Sequence, residues 1–296
     1  MDVLLLGATG AIGSAVTAAL SAAGHRVRAL ARSGAAMARV AAQGAAAVPG
    51  DLRAPEAWID AAAAADAVVH CAATFDDAMA ATDRAVLDAL LPALTEAGRR
   101  GGRRRLVYTG GVWLWGDTGG EAADENSPLC PPRAFAFLAE GAARVAAAPG
   151  LDGMVVHPGL VCGPGTGPVA LLADRARATG RVAVIGGPHR RWPLVGAPDL
   201  GDLYRRVLES GEPGRQWLGV AAPGVRQGDL AATLAAGLGL PAWEPEVLDG
   251  QAADAAFGAG AACYGLDQVL SGERARRELG WQPALRSWAD EALAAR

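Results

Sequence analysis

The chain contains no lysine, because all 27 of its lysine-plus-arginine residues are arginine. Chemistry that depends on a lysine side chain is therefore excluded. Cysteine is also scarce, with four residues and no C-x-x-C pair, which argues against both a zinc site and a disulfide framework. None of the four histidines is paired with another at i, i+4, so we expect no metal centre.

Long apolar runs are missing as well. No segment reaches the length of a transmembrane helix, and the first residues lack the features of a signal peptide. The formal net charge is -4, which gives little electrostatic reason to bind nucleic acid or a membrane. We interpret the basic block at 99–105 as a solvated turn, with a patch for an anionic partner as the alternative. We therefore expect a cytoplasmic protein with reduced thiols and no nucleic-acid or membrane partner.

The most informative segment that is present lies at the amino terminus. The apolar run Val3–Leu6 leads into Gly7, Gly10 and Gly13, and an alanine-rich helical pattern follows. The run is typical of a buried parallel strand. Glycines at this spacing let a tight turn approach a pyrophosphate and deliver it to a helix N-terminus. The segment predicts a nucleotide-binding strand, turn and helix.

Strand-like and helix-like segments alternate through the first half of the chain. This pattern predicts an α/β fold, a Rossmann-type doubly wound parallel sheet with a smaller, interleaved C-terminal substrate lobe. We place a nucleotide-binding domain at 1–160 and the lobe at 161–296, with 198–222 returning to the main sheet. Strands are predicted near 2–7, 26–32, 46–50, 66–71, 104–110 and 153–158, and helices near 11–24, 34–44, 54–64, 77–98 and 134–148.

Six segments in order give the chain a resemblance to the extended short-chain dehydrogenase/reductase family, the NAD(P)-dependent epimerases and dehydratases. The resemblance extends over nearly the whole length. The segments are Gly7-Ala8-Thr9-Gly10-Ala11-Ile12-Gly13, Gly50-Asp51-Leu52, 66–73 (DAVVHCAA), 106–111 (LVYTGG), 157–165 (HPGLVCGPG) and 276–283 (RRELGWQP).

The resemblance implies a set of cofactor-binding residues. Arg32 closes the second strand, where an acid would favour NAD; an arginine suits the 2′-phosphate of NADP, so NADP is favoured and NAD stays open. Arg32 in solvent and Asp51 as a helix cap are the structural alternatives. The implied residues are Gly7, Thr9, Gly10, Ala11, Ile12, Gly13, Arg32, Ser33, Asp51, Leu52, Ala72, Ala73, Thr109 and Pro158.

The catalytic part of the family pattern is missing. The family places a Ser or Thr after the fifth strand and a Tyr-x-x-x-Lys on the next helix, where the lysine lowers the pKa of the tyrosine for proton transfer. Here the serine position falls on Gly111, and the helix carries phenylalanine and no lysine. Candidate substitutes are Thr109, Glu140, Arg133 and His157. For each, a structural role is the alternative: strand pairing, a solvated helix position, helix entry and a satisfied strand histidine, respectively.

Aromatic residues cluster where the family binds its substrate, although aromatics make up only 5% of the chain. They indicate an apolar pocket for a small, flat molecule, with core packing as the alternative. We interpret Cys162 as a buried thiol near this pocket, while Arg191 and Trp192 either contact substrate or form a loop. The candidate substrate-binding residues are Gly111, Trp113, Trp115, Phe135, Phe137, Cys162, Arg191 and Trp192.

Three hypotheses for the function follow. The first is an NADP-binding oxidoreductase with an atypical active site, which reduces a carbonyl or enone on a small apolar metabolite, as in secondary metabolism. The second is a non-redox isomerase, dehydratase or cyclase on the same fold. The third is a non-catalytic nucleotide-sensing protein. In the family the long fourth and fifth helices often form dimers, so a homodimer is open.

Overall fold

A parallel sheet of seven strands forms the centre of the protein in the computed structural model, which describes residues 1–163, 165–240, 244–284 and 286–294. Pro164, in one of the family-like segments, lies outside these residues. The sheet order is β11-β7-β5-β4-β1-β2-β3. The strands are β1 (Asp2–Leu6), β2 (Arg26–Ala31), β3 (Ala46–Pro49), β4 (Ala67–His70), β5 (Arg105–Thr109), β6 (Ala122–Ala123), β7 (Asp152–Pro158), β8 (Leu160–Cys162), β9 (Ala183–Ile185), β10 (Arg191–Gly196), β11 (Gln216–Gly219), β12 (Ala222–Arg226), β13 (Glu246–Leu248) and β14 (Val269–Leu270).

Helices cover both faces of this sheet, as expected for parallel strands. They are α1 (Ala11–Ala22), α2 (Gly34–Ala42), α3 (Ile59–Ala63), α4 (Met79–Gly101), α5 (Ala136–Ala146), α6 (Pro168–Thr179), α7 (Ala197–Ser210), α8 (Gln227–Gly237), α9 (Gly250–Phe257), α10 (Glu273–Leu279) and α11 (Trp288–Ala294). The predicted fold class, a Rossmann-type α/β fold, is confirmed.

The hydrophobic pattern of β1 explains the two-sided core. Val3 and Leu5 point into the core on one face of the sheet, and Leu4 and Leu6 into the core on the other. All four side chains are fully buried. On the first face α7 packs against α1, and on the second α4 packs against both α3 and α5.

One predicted helix differs from the structure. The segment at 54–64 forms a 3-10 turn at Pro55–Ala57, followed by the short helix α3. Trp58 lies between them, is buried, and donates an indole N–H hydrogen bond to the Asp51 carbonyl over 2.7 Å. The buried indole stabilises the interruption between the 3-10 turn and α3. The chain turns there and brings Trp58 under Gly50, where an added Cβ would lie 2.9 Å from the indole ring.

The second half of the chain partly returns to the central sheet. Strand β11 pairs with β7 at the edge of the sheet, and α7 packs on the first helix. The remaining strands form three small sheets, β12-β10-β8, β13-β9 and β14-β6. Helices α6, α8 and α9 pack against strands of these small sheets. The boundary at residue 160 stays a prediction.

Candidate active site

A cavity of about 430 Å³ opens at the carboxyl ends of β1, β4, β5 and β7. The strand order reverses between β1 and β4, whose last residues, Leu6 and His70, are register partners. Ligands of open α/β sheets bind at this switch point. The lining includes the glycine loop, the ends of β4, β5 and β7, the first turns of α4 and α5, and Tyr264 from the second half of the chain.

The glycine loop has no room for larger residues. Gly7 has a φ of +93°, and a Cβ there would lie 2.8 Å from the backbone of Ala72. A Cβ at Gly13 would collide with the carbonyl oxygen of Gly7. Helix α1 begins at Ala11 without a side-chain cap, and Gly10, Ala11 and Ile12 line the cavity. The first amide groups of the helix therefore face a concave space, which fits the diphosphate of a dinucleotide.

The other cofactor candidates are distributed around this loop. Leu52, Ala72, Ala73, Thr109 and Pro158 line the cavity together with the three loop residues. Gly7, Thr9 and Gly13 belong to the loop without lining the cavity.

The second-strand candidates lie at the edge of the site. Arg32 is exposed just after β2, and no hydrogen bond or ion pair joins it to any other part of the chain that the structure describes. Ser33 accepts a hydrogen bond from the Ala36 amide over 3.2 Å and so caps α2. The Asp51 carboxylate accepts a hydrogen bond from the Arg53 amide over 3.0 Å, within its own loop. Of these three side chains, Arg32 has no partner among the described residues, while Ser33 keeps its hydroxyl proton and Asp51 its second carboxylate oxygen for a ligand.

The serine position of the family, Gly111, carries no side chain, and His157 lies against the backbone of Gly110 and Gly111. A Cβ at Gly110 would overlap the His157 ring, and the ring Nδ1 accepts a hydrogen bond from the Gly111 amide over 3.3 Å. The other ring nitrogen, Nε2, donates to Gln216 over 2.8 Å. Burial lowers the pKa of His157 to about 4, so the ring is neutral. His157 lies behind the cavity wall, with both nitrogens occupied.

Thr109 takes part in a buried polar cluster. Its hydroxyl lies 2.7 Å from that of Tyr204, which is fully buried on α7. Cys71, which lines the cavity, adjoins both hydroxyl groups, and burial raises the pKa of its thiol to about 12. Burial also raises the pKa of Tyr204, so all three groups are neutral. Thr109 reaches the cavity with its hydroxyl already in a hydrogen bond.

Helix α5 presents phenylalanine to the cavity. Both Phe135 and Phe137 line it, and the Phe135 ring packs 4.7 Å from that of Trp113. Four residues after Phe137, a Cβ at Gly141 would lie 2.5 Å from the Tyr108 hydroxyl. That hydroxyl donates to Asp83 over 3.0 Å. The Tyr108 phenol therefore fills the space that a side chain at position 141 would need.

The remaining catalytic candidates lie outside the cavity lining. Glu140 is exposed and pairs with Arg84 over 3.1 Å. Arg133 is exposed at the start of the 3-10 turn before α5. Glu140 lines a small second cavity together with Asp83 and Phe137, but neither Glu140 nor Arg133 lines the main cavity, so the structure gives no direct route for proton transfer through them.

Four substrate candidates also have other roles in the structure. Cys162 is buried, which raises the pKa of its thiol to about 12. Trp115 is buried and donates to the Asp124 carbonyl over 2.8 Å. Arg191 forms a two-pronged ion pair with Asp267, at 2.9 and 2.7 Å. Trp192 is buried and donates to the Tyr264 carbonyl over 2.7 Å, so it supports the wall from behind.

Sequence reasoning missed Tyr264. Its ring lines the cavity and packs on Trp113 at 5.5 Å and Trp192 at 5.7 Å. Its carbonyl accepts from Trp192 and from Gln227, which fixes the backbone. Within the described ranges its hydroxyl has no hydrogen-bond partner. No local pattern marks this residue, because it reaches the site only through the packing of the second half of the chain.

Sequence reasoning also missed three residues near β4. His70 and Asp83 both line the cavity, and their side chains meet at 3.4 Å. Phe75, at the rim, is 76% exposed and has a φ of +49°. The family-like segment at 66–73 marks His70, while the other two have no signal of their own.

Two absences complete the description. Within the ranges that the structure describes, no group of three or more His, Cys, Asp or Glu side chains is placed to hold a metal ion. No described helix is both long enough and apolar enough to span a membrane.

The fold and the glycine loop define a dinucleotide-binding enzyme fold, and sequence comparison gives the family. Residues 3–218 match the model of the NAD dependent epimerase/dehydratase family. The chain therefore belongs to the NAD-dependent epimerase/dehydratase family, which confirms the resemblance.

Two curated relatives are similar to this chain in sequence. An uncharacterized protein of Saccharomyces cerevisiae is 30% identical over 96% of this chain and 95% of its own length. A 3-diazoavenalumate denitrifying reductase of a Streptomyces species is 35% identical over 56% of this chain and 58% of its own length.

The structural matches cover the whole chain and show the fold. The human epimerase family protein SDR39U1, solved with NADPH, has a TM-score of 0.77 at 23% identity, covering 100% of this chain and 99% of that one. The dTDP-glucose 4,6-dehydratase DesIV of Streptomyces venezuelae, a double mutant solved with NAD, has a TM-score of 0.79 at 22% identity, covering 100% and 95%.

Proposed function

We propose that this protein is an NADP-dependent reductase that transfers hydride to a small, flat, largely apolar molecule. The observation that carries the proposal is one continuous cavity with two different ends. Gly10, Ala11 and Ile12 line it at the helix N-terminus, and Trp113, Phe135, Phe137 and Tyr264 line it on the other side. A phosphate-binding turn and an aromatic wall thus face the same space.

The preference for NADP depends on Arg32. A guanidinium suits a phosphate because it can donate two parallel hydrogen bonds, and its charge favours a dianion. Arg32 is exposed at the carboxyl end of β2 and makes no ion pair with the described residues. An arginine already paired with an acid, such as Arg191 with Asp267, would be much less available.

The residues of the chain hold and shield the reactants in this proposal. When bound, NADPH supplies the hydride. The glycine loop and the start of α1 hold its diphosphate. The Gly110–Gly111 backbone, which His157 fixes through a hydrogen bond, forms part of the cavity wall. Thr109 orients a polar atom through its hydroxyl, and the aromatic wall excludes water and aligns a planar molecule.

The favoured hydride acceptor is one that needs no proton from the protein. No lysine exists in the chain, and in the buried cluster that includes Thr109 burial raises the pKa of Tyr204 and of Cys71, which makes both weak proton donors. An aryldiazonium ion fits this condition: addition of one hydride to Ar–N₂⁺ gives Ar–H and N₂, with no proton required. The Streptomyces relative, a 3-diazoavenalumate denitrifying reductase, supports the choice of this acceptor.

A carbonyl or conjugated alkene is the second candidate acceptor. Its reduction consumes one hydride and one proton, and the proton would come from water or from the Tyr264 hydroxyl. The specific observation in its favour is that this hydroxyl is at the cavity without a partner among the described residues.

The experiment is to follow NADPH absorbance at 340 nm with a panel of aromatic acceptors. The panel contains aryldiazonium salts, aryl ketones and cinnamyl ketones, and NADPH deuterated at the transferring carbon labels the product. We expect stoichiometric NADPH oxidation, release of N₂ from the diazonium compounds and one deuterium in each product, with NADPH used more efficiently than NADH.

Two outcomes would contradict the proposal. Product formation at constant absorbance would instead support the isomerase, dehydratase or cyclase hypothesis. Failure of NADPH to bind at sub-millimolar concentration would exclude a cofactor role for the cavity. An assay without enzyme controls for direct reaction of NADPH with the diazonium salts.

A further inference from the structure

Asp83 is a buried carboxylate on the first turns of α4. Its side chain is 11% exposed, and the residue lines the cavity. It is the one acidic residue in the described lining, which contains no arginine. We call the end of the cavity that carries the aromatic wall the reaction end. Its net charge therefore depends on the groups that surround the Asp83 carboxylate.

The immediate partners of Asp83 are a phenol and an imidazole. Tyr108 donates a hydrogen bond from its hydroxyl over 3.0 Å, and burial together with the carboxylate raises its pKa, so it stays protonated. His70 meets Asp83 through Nε2 at 3.4 Å, and its Nδ1 accepts from the Ala72 amide over 3.3 Å. An accepting Nδ1 places a ring proton on Nε2, on the side that faces the carboxylate.

The arginines nearest to Asp83 are paired with other acids. A small second cavity on the far side of Asp83 is lined by Arg84, Arg144 and Glu140, among others. Arg84 pairs with Glu140 over 3.1 Å, and Arg144 pairs with Asp88 over 2.6 Å. These charges cancel in pairs, which leaves the carboxylate without an arginine of its own among the described residues. A buried charge in this position is costly unless a counter-charge reaches it.

Asp83 lies close to the position where the family pattern places a positive charge. In the family pattern an ammonium group follows the helix tyrosine by four residues. Here the fourth residue after Phe137 is Gly141, beside the Tyr108 hydroxyl that binds Asp83. The region that would hold a positive charge thus holds a phenol and a carboxylate, and the sign of the local charge is reversed.

We propose that Asp83 makes this cavity a binding site for cationic aromatic molecules. The carboxylate supplies the counter-charge and the aromatic wall supplies the planar contact surface. The inference rests on the proposed function only in taking the cavity as the substrate site. It narrows the substrate to planar molecules with a delocalised positive charge, the class to which aryldiazonium ions belong.

The test measures binding rather than turnover. The protein is kept free of nicotinamide cofactor, so that neither a hydride nor a pyridinium charge is present, and titrated calorimetrically with three probes of similar shape: 1-methylquinolinium, neutral quinoline at pH 8, and 1-naphthoate. We expect the cation to bind at least tenfold more tightly than the neutral probe, and the anion to bind most weakly. In Asp83→Asn we expect the preference for the cation to fall below threefold.

Glu96→Gln is the matched control, because Glu96 lies toward the far end of the same helix, pairs with the exposed Arg99 and is absent from the lining. It should keep the wild-type ranking. Equal binding of all three probes by the wild type, or an unchanged ranking in a folded Asp83→Asn, would overturn the proposal. If the variant fails to fold, the wild-type ranking alone decides.

The two proposals fail separately. A protein that prefers the cation but never oxidises NADPH would contradict the reductase and leave the cation site standing. A protein that oxidises NADPH with neutral acceptors and ranks the probes equally would do the reverse.

Discussion

The two ends of the cavity are formed by different groups, one by backbone and the other by side chains. The phosphate end consists of backbone: Gly7 in a left-handed conformation, Gly13 against a carbonyl and the uncapped start of α1. The reaction end consists of side chains, mainly aromatic rings, held by hydrogen bonds from behind such as that of Trp192 to the Tyr264 carbonyl. A site made of backbone needs particular residues at fixed spacing. A site made of side chains can be assembled from distant segments.

The largest effect is expected at the phosphate end. Gly13→Ala places a methyl group against the Gly7 carbonyl, which must move and distort the loop. We expect NADPH to bind at least about 100-fold more weakly, on the order of 3 kcal/mol, measured by titration of protein fluorescence. Gly34→Ala is the control, since a Cβ there meets nothing within 4 Å. Binding within threefold of wild type in Gly13→Ala would contradict the assignment of the loop.

Arg32 should have the next largest effect, and it should be selective. Arg32→Ala removes charged hydrogen bonds to a 2′-phosphate, worth about 1.5–3 kcal/mol, so NADPH affinity should fall about 10- to 100-fold. NADH affinity should stay the same because NADH has no such phosphate. Arg39→Ala, on the neighbouring helix, is the control for general charge loss. Equal losses for both cofactors would remove the preference for NADP.

The reaction end depends on a histidine that stays neutral, and this gives a pH dependence. Burial lowers the pKa of His157 to about 4, whereas an unfolded histidine takes up its proton near pH 6.5. Between these values the unfolded chain binds more protons than the folded one. The free energy of unfolding should therefore fall by about 1.4 kcal/mol for each unit by which the pH is lowered. This contribution should be constant above about pH 6.5 and should level off below about 4.

Denaturant unfolding at pH 7.5, 5.5 and 4.5 measures this dependence. His157→Gln should flatten the decrease, and His189→Gln should not, because His189 is exposed. A slope that persists unchanged in His157→Gln would assign the titration to other groups.

The smallest effect is expected at Tyr264. If the favoured acceptor needs no proton from the protein, Tyr264→Phe should lower kcat for an aryldiazonium substrate less than about threefold, because the ring and its packing remain. Tyr204→Phe is the comparison, since it removes a hydroxyl that pairs with Thr109. A loss greater than about 100-fold in Tyr264→Phe, within the range of general acid–base catalysis, would make its phenol the missing acid.

The difference between the two ends also explains how much the sequence could predict. Apart from the predicted helix at 54–64, the predicted strands and helices of the first half agree with the structure within a few residues, because buried parallel strands and amphipathic helices have their own hydrophobic patterns. The glycine loop was recognised because its geometry tolerates few other residues. Asp83 and Tyr264 were missed because nothing near them in the chain indicates that they share a cavity.

Some candidate residues were located by the sequence but not explained by it. His157 was noticed, yet its two ring partners, Gly111 and Gln216, come from different strands and loops. Glu140 lies on the expected helix, but the rotation of α5 turns it toward Arg84 and solvent. Which face of a helix points into a cavity depends on tertiary packing, which single-sequence patterns determine only for apolar residues.

The close approach of Tyr108 to Gly141 restricts the order in which this active site can be changed. Phe137→Tyr adds one oxygen at the cavity and is a small step, whereas Gly141→Lys must first displace the phenol 2.5 Å from the new Cβ. Shortening Tyr108 to make space would strip Asp83 of its hydrogen-bond donor. An engineer, or a lineage under selection, would therefore have to replace Tyr108, Asp83 and Gly141 together to regain a Tyr-x-x-x-Lys site, and single changes along that path would each be worse than the start.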